Sequence, residues 1–170
     1  MLADYLLSLD HKHIAYIAGF SGASTQIDRE AGFRAGLQAA GKDLCARAEG
    51  NFNYPDAQRA ARALFAKPNR PDAVFVANDH MAFAVMDVLR FELGLKVPHD
   101  VCVVGFDDVP PAAWPAYNLT TVRQHVDLMV AETVKMLVSS IAEGTGKSKH
   151  VVLEATLIIR GSTRKHGVVE

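Results

Sequence analysis

The chain has 170 residues, of which 49% are hydrophobic and 22% charged, and its formal net charge is −1. That length holds one ordinary domain or two small ones with a real core, and the composition excludes a disordered chain. A near-neutral balance without a Lys/Arg cluster argues against direct gripping of DNA phosphates, and no apolar run reaches the roughly 18 residues of a membrane span.

The opening "MLADYLLSLDHKH" reads as an amphipathic helix over residues 2–9. Acids among its leucines and the lack of a basic leader separate it from a secretory signal. "HIAYIAG" (13–19) reads as a strand. The helix over 24–41 is opened by Ser24 or Thr25, with Thr25 and Asp28 spaced as in a capping box, and closed by Gly41. A short strand at 44–48 precedes a helix over 55–66 with Pro55 in its first turn, and "KPNRP" breaks that helix. A strand (73–77), a helix (79–93) and a strand (101–105) complete the alternation. Cys45 and Cys102 each fall in a predicted buried strand, which fits inert thiols in a reducing cytoplasm better than a disulfide. The expected fold class is therefore α/β, a parallel sheet with helices on both faces.

After Asp108 the pattern changes. "VPPAAWPAYNL" is too rich in proline for a regular element and reads as a connection leaving the sheet. A helix over about 125–143, a polar turn "EGTGKSKH" and a late strand "VVLEATLII" follow. On that helix Val126, Val130, Val134, Leu137 and Ile141 form a stripe, widened by Met129 and Val138. Burying five such side chains is worth roughly 7–15 kcal/mol, comparable to the net stability of a domain. The stripe must fold back on its own sheet, pack on a neighbouring chain or exchange between protomers, and the last two are expected.

In an open parallel sheet, ligands bind outside the carboxyl ends of the strands. "FSGASTQIDR" with Thr25 and Arg29 follows the first strand, "GNFN" with Phe52 the second, Asn78-Asp79 the third and Asp107-Asp108 the fourth. A guanidinium fork, an amide, acids and a flat apolar face suit a small polyhydroxylated or heterocyclic ligand. Each residue also has a plainer reading. Asp79 reads first as the cap of the following helix, and Asn78 fits that turn equally well. Phe52 alone reads as core. A cation at Arg29 in a first turn is locally unfavourable, which points to a contact, although Asp28 and Glu30 can offset it. The adjacent Asp107 and Asp108 are expected to divide, one inward and one solvated.

Enzyme motifs are largely missing. "GFSGAS" is not a nucleophile elbow, there is no phosphate-cradling Walker loop, and "GTG" at 144–146 lacks the preceding strand of a dinucleotide site. His11 and His13 lie at the amino end of the first strand with no acid or cysteine cluster to complete a metal site. No cofactor or metal is expected. The helix over 79–93 is apolar nearly all round, so Met81, Phe83 or Phe91 is expected to face outward and form a dimer interface.

"LLSLDHKHIAYIAG", "DREAGFRAGLQAAG", "VFVANDHMA", "VCVVGFDD", "NLTTVRQ" and "LIIRGSTR" together resemble the effector-binding core of the lactose-repressor and purine-repressor family of bacterial transcription regulators. The resemblance covers nearly the whole chain, in order. It implies a hinged core of periplasmic-binding-protein type with a cleft for a sugar or purine-like effector. By resemblance Arg29, with Thr25 one turn before it, bonds the effector's polar groups and Phe52 stacks on it. Asn78, Asp107 and Gln124 also face the cleft, and His11 is structural. It implies a homodimer through the helix over 79–93.

The resemblance further assigns residues 1–121 and 151–163 to a C-terminal subdomain. Residues 122–150 become a crossing segment and helix of an incomplete N-terminal subdomain. On this reading the chain starts where the second subdomain of such a regulator starts, and operator DNA is reached only through a headpiece it does not contain. Asp10 stands where the family usually has glycine, which leaves one turn in question. Two other readings compete. A transport-type sugar-binding protein of the same fold would carry an export leader. A small α/β hydrolase using Asp107 and Asp108 would need a positioned nucleophile.

Overall fold

The computed structural model describes residues 1–143 and 150–164. Strands β1 (Ile14–Ala18), β2 (Ala46–Glu49), β3 (Ala73–Val76) and β4 (Cys102–Val104) form one parallel sheet in the order β2-β1-β3-β4. β1, β3 and β4 are buried on both faces, which is why they read as unbroken apolar runs. β2, "ARAE", is the edge strand, and its exposed Arg47 and Glu49 blunt that edge. Cys45 therefore does not lie in a buried strand. It precedes β2 and is exposed, whereas Cys102 is buried in β4 as expected.

Helices α1 (Leu2–Ser8) and α2 (Ser24–Ala39) pack together on one side of the sheet, and α3 (Tyr54–Phe65) and α4 (Asp79–Asp87) on the other. A cluster of Tyr16, Phe33 and Phe75, with ring centroids 4.9–6.2 Å apart, fixes α2 against the sheet. The expected capping box at Thr25 is not formed: Ala23 is the N-cap and supplies no side-chain bond. Gly41, at φ 68°, closes α2 as expected, with its own N–H and that of Lys42 donating to Gln38 O and Leu37 O. Asp10 makes its turn without glycine by adopting φ 60°. The apolar run of α4 continues through a π-helical turn, Val88–Glu92, to the expected end near residue 93.

Two expectations about outward faces need correction. Met81 and Phe83 are buried within the chain, Phe83 stacked on Tyr117 at 4.2 Å; only Phe91, 81% exposed, faces solvent. The Pro-rich segment does leave the sheet, through a single 3-10 turn (Pro110–Ala113), but it comes straight back. Leu119–Val122 are buried beside β4, with parallel bridges Val104–Thr120 and Asp107–Arg123. There β5 (Thr121–Arg123) pairs antiparallel with β6 (Thr156–Ile158), the short core of the expected late strand. The expected turn at 144–149 lies outside the described residues.

Helix α5 (Val126–Glu143) does not fold back on the sheet. Val126, Val130, Val134, Leu137, Val138 and Ile141 are each more than half exposed.

At the amino end of the sheet, buried His11 brings Nδ1 to 3.3 Å from Asp72 Oδ1, and Asp72 also accepts the Lys12 and His13 N–H groups. Burial opposes the charged imidazole, but Asp72 and the Cys102 sulfur outweigh it and push His11 up to about 9. Because that lies above the 6.5 of a free imidazole, the stabilisation is complete below pH 6.5 and is lost as pH rises through about 9. Burial also opposes the Asp72 charge, yet His11 and the two N–H groups hold it down to about 2. Unfolding followed across pH should show His11→Leu less stable than the parent by on the order of 2–3 kcal/mol near pH 6, with the gap closing above about pH 9.

Candidate functional site

The strand order reverses between β1 and β3, so the connections after these two strands diverge and open a crevice at their carboxyl ends. After β1, the Gln26 side chain accepts the Gly19 N–H at 2.6 Å and the Tyr16 hydroxyl at 2.9 Å, which docks the first turn of α2. Arg29, one turn later, reaches across the end of β3. Its Nη1 donates to Ala77 O at 2.6 Å, its Nη2 lies 3.5 Å from Asp107 Oδ1, and its Cζ sits 3.8 Å above the Phe106 ring. Gln124 Nε2 donates to the same Asp107 oxygen at 2.7 Å. Two residues far apart in sequence, Arg29 and Gln124, thus meet on the Asp107 carboxylate.

Burial raises the Asp107 carboxyl above its ordinary value, although Arg29 and Gln124 pull the other way. Burial likewise lowers Arg29, with Asp107 opposing. Both groups remain partly accessible, at 15% for Arg29 and 28% for Asp107, so a ligand can reach them. The trio offers a fork of donors, an acceptor for paired hydroxyls and an amide that does both.

The other sequence candidates have mixed placements. The helix cap falls to Asn78, whose Oδ1 accepts the Met81 N–H at 3.0 Å, and not to Asp79. Asp79 is instead fully buried: Thr121 Oγ1 donates to Oδ1 at 2.6 Å and the Val109 N–H to Oδ2 at 2.9 Å. Phe52, at φ 55°, lays its ring on Gly19, where a Cβ would come within 2.1 Å of it. Thr25 is exposed in the first turn of α2. The Asp107-Asp108 pair divides, with the Asp108 side chain turned inward at 4% exposed and Asp107 keeping partial access at 28%. Sequence reasoning missed Gln26, Phe106 and Thr121, which position the site without carrying its chemistry.

A hollow of about 210 Å³ borders Arg29, Phe33, Phe75 and Phe106, but Asp107 does not line it. Polar convergence, more than this hollow, marks the site. Among the described residues no group of three His, Cys, Asp or Glu is placed to hold a metal ion, and no helix is long and apolar enough to cross a membrane.

The family model described as a periplasmic binding protein-like domain matches residues 3–163. The chain belongs to this family. Its matched relatives are transcription regulators of the lactose-repressor type, in agreement with the motifs. The HTH-type transcriptional regulator CelR of Thermobifida fusca is 37% identical over 159 residues, covering 92% of this chain and 46% of that protein. The ribose operon repressor of Escherichia coli K12 is 32% identical over 164 residues, covering 95% and 49%. Among solved structures of the family, a CelR–cellobiose complex superposes with a TM-score of 0.86 at 36% identity, over 94% of this chain and 49% of that one. The lac repressor dimer bound to operator and the anti-inducer ONPF gives 0.87 at 28% identity, over 94% and 55%. The chain spans about half the length of the curated relatives it matches, and what it matches is their effector-binding domain.

Replacing Arg29 by Ala removes a cation from the Phe106 face and a donor from Ala77 O. Thermal or denaturant unfolding of Arg29→Ala should show a loss of about 1–3 kcal/mol, whereas Thr25→Ala, at an exposed site, should unfold like the parent.

Proposed function

We propose that this chain is the effector-sensing portion of a DNA-binding transcription regulator, and that its effector is a sugar or purine-like small molecule. The observation that carries the reading is the meeting of Arg29, Gln124 and Asp107 at the strand-order reversal. A planar donor fork beside a partly accessible carboxylate pairs with vicinal hydroxyls or a heterocycle edge. The relative solved with cellobiose and the relative named for the ribose operon support a saccharide. Phe52, Asn78 and Thr25 complete the contacts on this side of the cleft. Residues 122–150 belong to a second subdomain that supplies the facing wall, and effector binding shifts closure of the two.

The chain is a binding module and not an enzyme on this reading, which the relatives named as transcription regulators support. In the whole protein, which acts in the cytoplasm, operator DNA is held by a segment outside this chain. The chain alone should give no salt-dependent DNA binding. A tight operator complex formed by residues 1–170 would overturn that part of the reading.

Calorimetry with cellobiose and D-ribose tests the site. Asp107→Asn and Arg29→Ala should each lose at least about tenfold in affinity, because each leaves a buried ligand group unpaired. Unchanged affinity would remove that residue from the site.

The subunit contact of the dimer lies at the π-helical turn after α4, where Phe91 is 81% exposed. A lysine at position 91 puts a charge into that patch. Phe91→Lys should sediment with a dimer dissociation constant at least about tenfold weaker than the parent; identical sedimentation over a wide concentration range would place the contact elsewhere.

A further inference from the structure

Asp107 and Asp108 have φ of 119° and 54°, conformations that a non-glycine residue keeps only where its surroundings over-determine them. The surroundings are the two crossing strands. Arg123, on β5, brings Nε to 2.6 Å from Asp108 Oδ2. Arg160, just beyond β6, brings Nη2 to 2.7 Å from Asp108 Oδ1, an ion pair without the alignment of a hydrogen bond. Arg160 in turn donates from Nη1 to Leu119 O at 2.8 Å and from its backbone N–H to Thr120 Oγ1 at 2.8 Å. One nearly dry carboxylate therefore joins both strands that leave the sheet. The residue after Arg123 is Gln124, whose amide donates to Asp107.

We propose that Asp108 is the positioning residue of the effector site: it locks both crossing strands through Arg123 and Arg160 and so presents Gln124 to Asp107. The proposal rests on reading Asp107 as an effector contact. It adds the route by which occupancy there reaches the crossing strands. A ligand hydroxyl that donates to Asp107 competes with the Gln124 amide for the carboxylate. Asp107 and Asp108 share one peptide unit, so a shift of the first moves the second and, with it, β5, β6 and the start of α5. Neither acid works alone: one faces the ligand and its neighbour holds the strands.

The Gln124 side-chain amide gives a readout that a merely stabilising ion pair would not move. Its ¹⁵N–¹H resonances and exchange rates, together with the backbone amides of Val122 and Leu157, are measured in residues 1–170 and in Asp108→Asn, Arg123→Ala and Arg123→Lys. In Asp108→Asn and Arg123→Ala, the Gln124 amide should move to the position of a solvent-exposed amide and exchange roughly tenfold faster. Arg123→Lys should restore the parent signal in large part, while amides of β1 and β3 stay protected in every variant. Arg123 is half-exposed, so Arg123→Ala keeps the test intact even where Asp108→Asn does not fold. A Gln124 resonance unchanged in folded Arg123→Ala would overturn the proposal.

Cellobiose and D-ribose are then added to each protein. Shifts at Gln124 that spread to Leu157 in the parent but not in Arg123→Ala support the route. Shifts that spread equally in both would overturn it. If neither sugar moves any resonance but the variants behave as expected, Asp108 stands as the positioning residue and the saccharide reading fails.

Discussion

Asp79 lies fully buried in the first turn of α4, where the Thr121 hydroxyl donates to one carboxylate oxygen and the Val109 N–H to the other. An unpaired carboxylate in such a place would cost several kcal/mol. Here burial does raise its pKa, against the two hydrogen bonds, and the nearby Asp107 and Asp108 push the same way. The amino end of α4 favours negative charge, which helps hold it there. The bond to Thr121 draws the returning chain against β4, and the backbone N–H of Asp79 ties β3 to Phe106 O at 2.9 Å. Gly105 is dictated by the same group, because a Cβ there would come within 2.2 Å of Asp79 Oδ1. This anchor seats the returning chain from which Arg123 and Gln124 reach the candidate site.

With the crossing strand seated, the carboxyl end of the sheet becomes a place where charges meet without being fully removed from water. Arg29 is held by a carbonyl, an aromatic face and an acid, so its side-chain entropy is spent before a ligand arrives. That preorganisation is what separates a binding site from a surface ion pair, which would be worth little. The ion pair of Arg59 with Asp56 on α3, with Arg59 67% exposed, is of the surface kind.

Helix α5 presents the opposite situation. Its apolar stripe is regular, yet the described residues leave most of it exposed. The relatives extend well beyond the matched region, and a stripe of this size requires a covering surface. The hollows beside it, lined by Gln124, Met129 and Val130 on one side and by Phe106, Leu153 and Ala155 on the other, begin where the cleft ends. The candidate site and the exposed helix are thus joined by β5 and the turn after it.

The alternation of apolar strands and helices, the left-handed Gly41 and the acids and amide after β3 and β4 were legible in the residues, because period and turn chemistry are local. Arg29 and Asp107 stood out by their residue types and their places after β1 and β4, and Gln124 only through motif resemblance. What the residues alone left open was which side chain does which job. Asn78 and Asp79 are both good caps, and only the packing of Thr121 from 42 positions away decides that Asp79 is the buried anchor. Met81 and Phe83 belong to a helix apolar all round, and their burial follows from Tyr117 and the sheet, which no helical period encodes. The pair Asp107-Asp108 reads as one inward and one solvated acid without showing which is which, and two arginines from separate strands make Asp108 the inward one. The sequence by itself determined the strands, the helices and the chemistry at their ends; the tertiary structure decided the roles, because a carboxylate's role is set by the donors that distant segments bring to it.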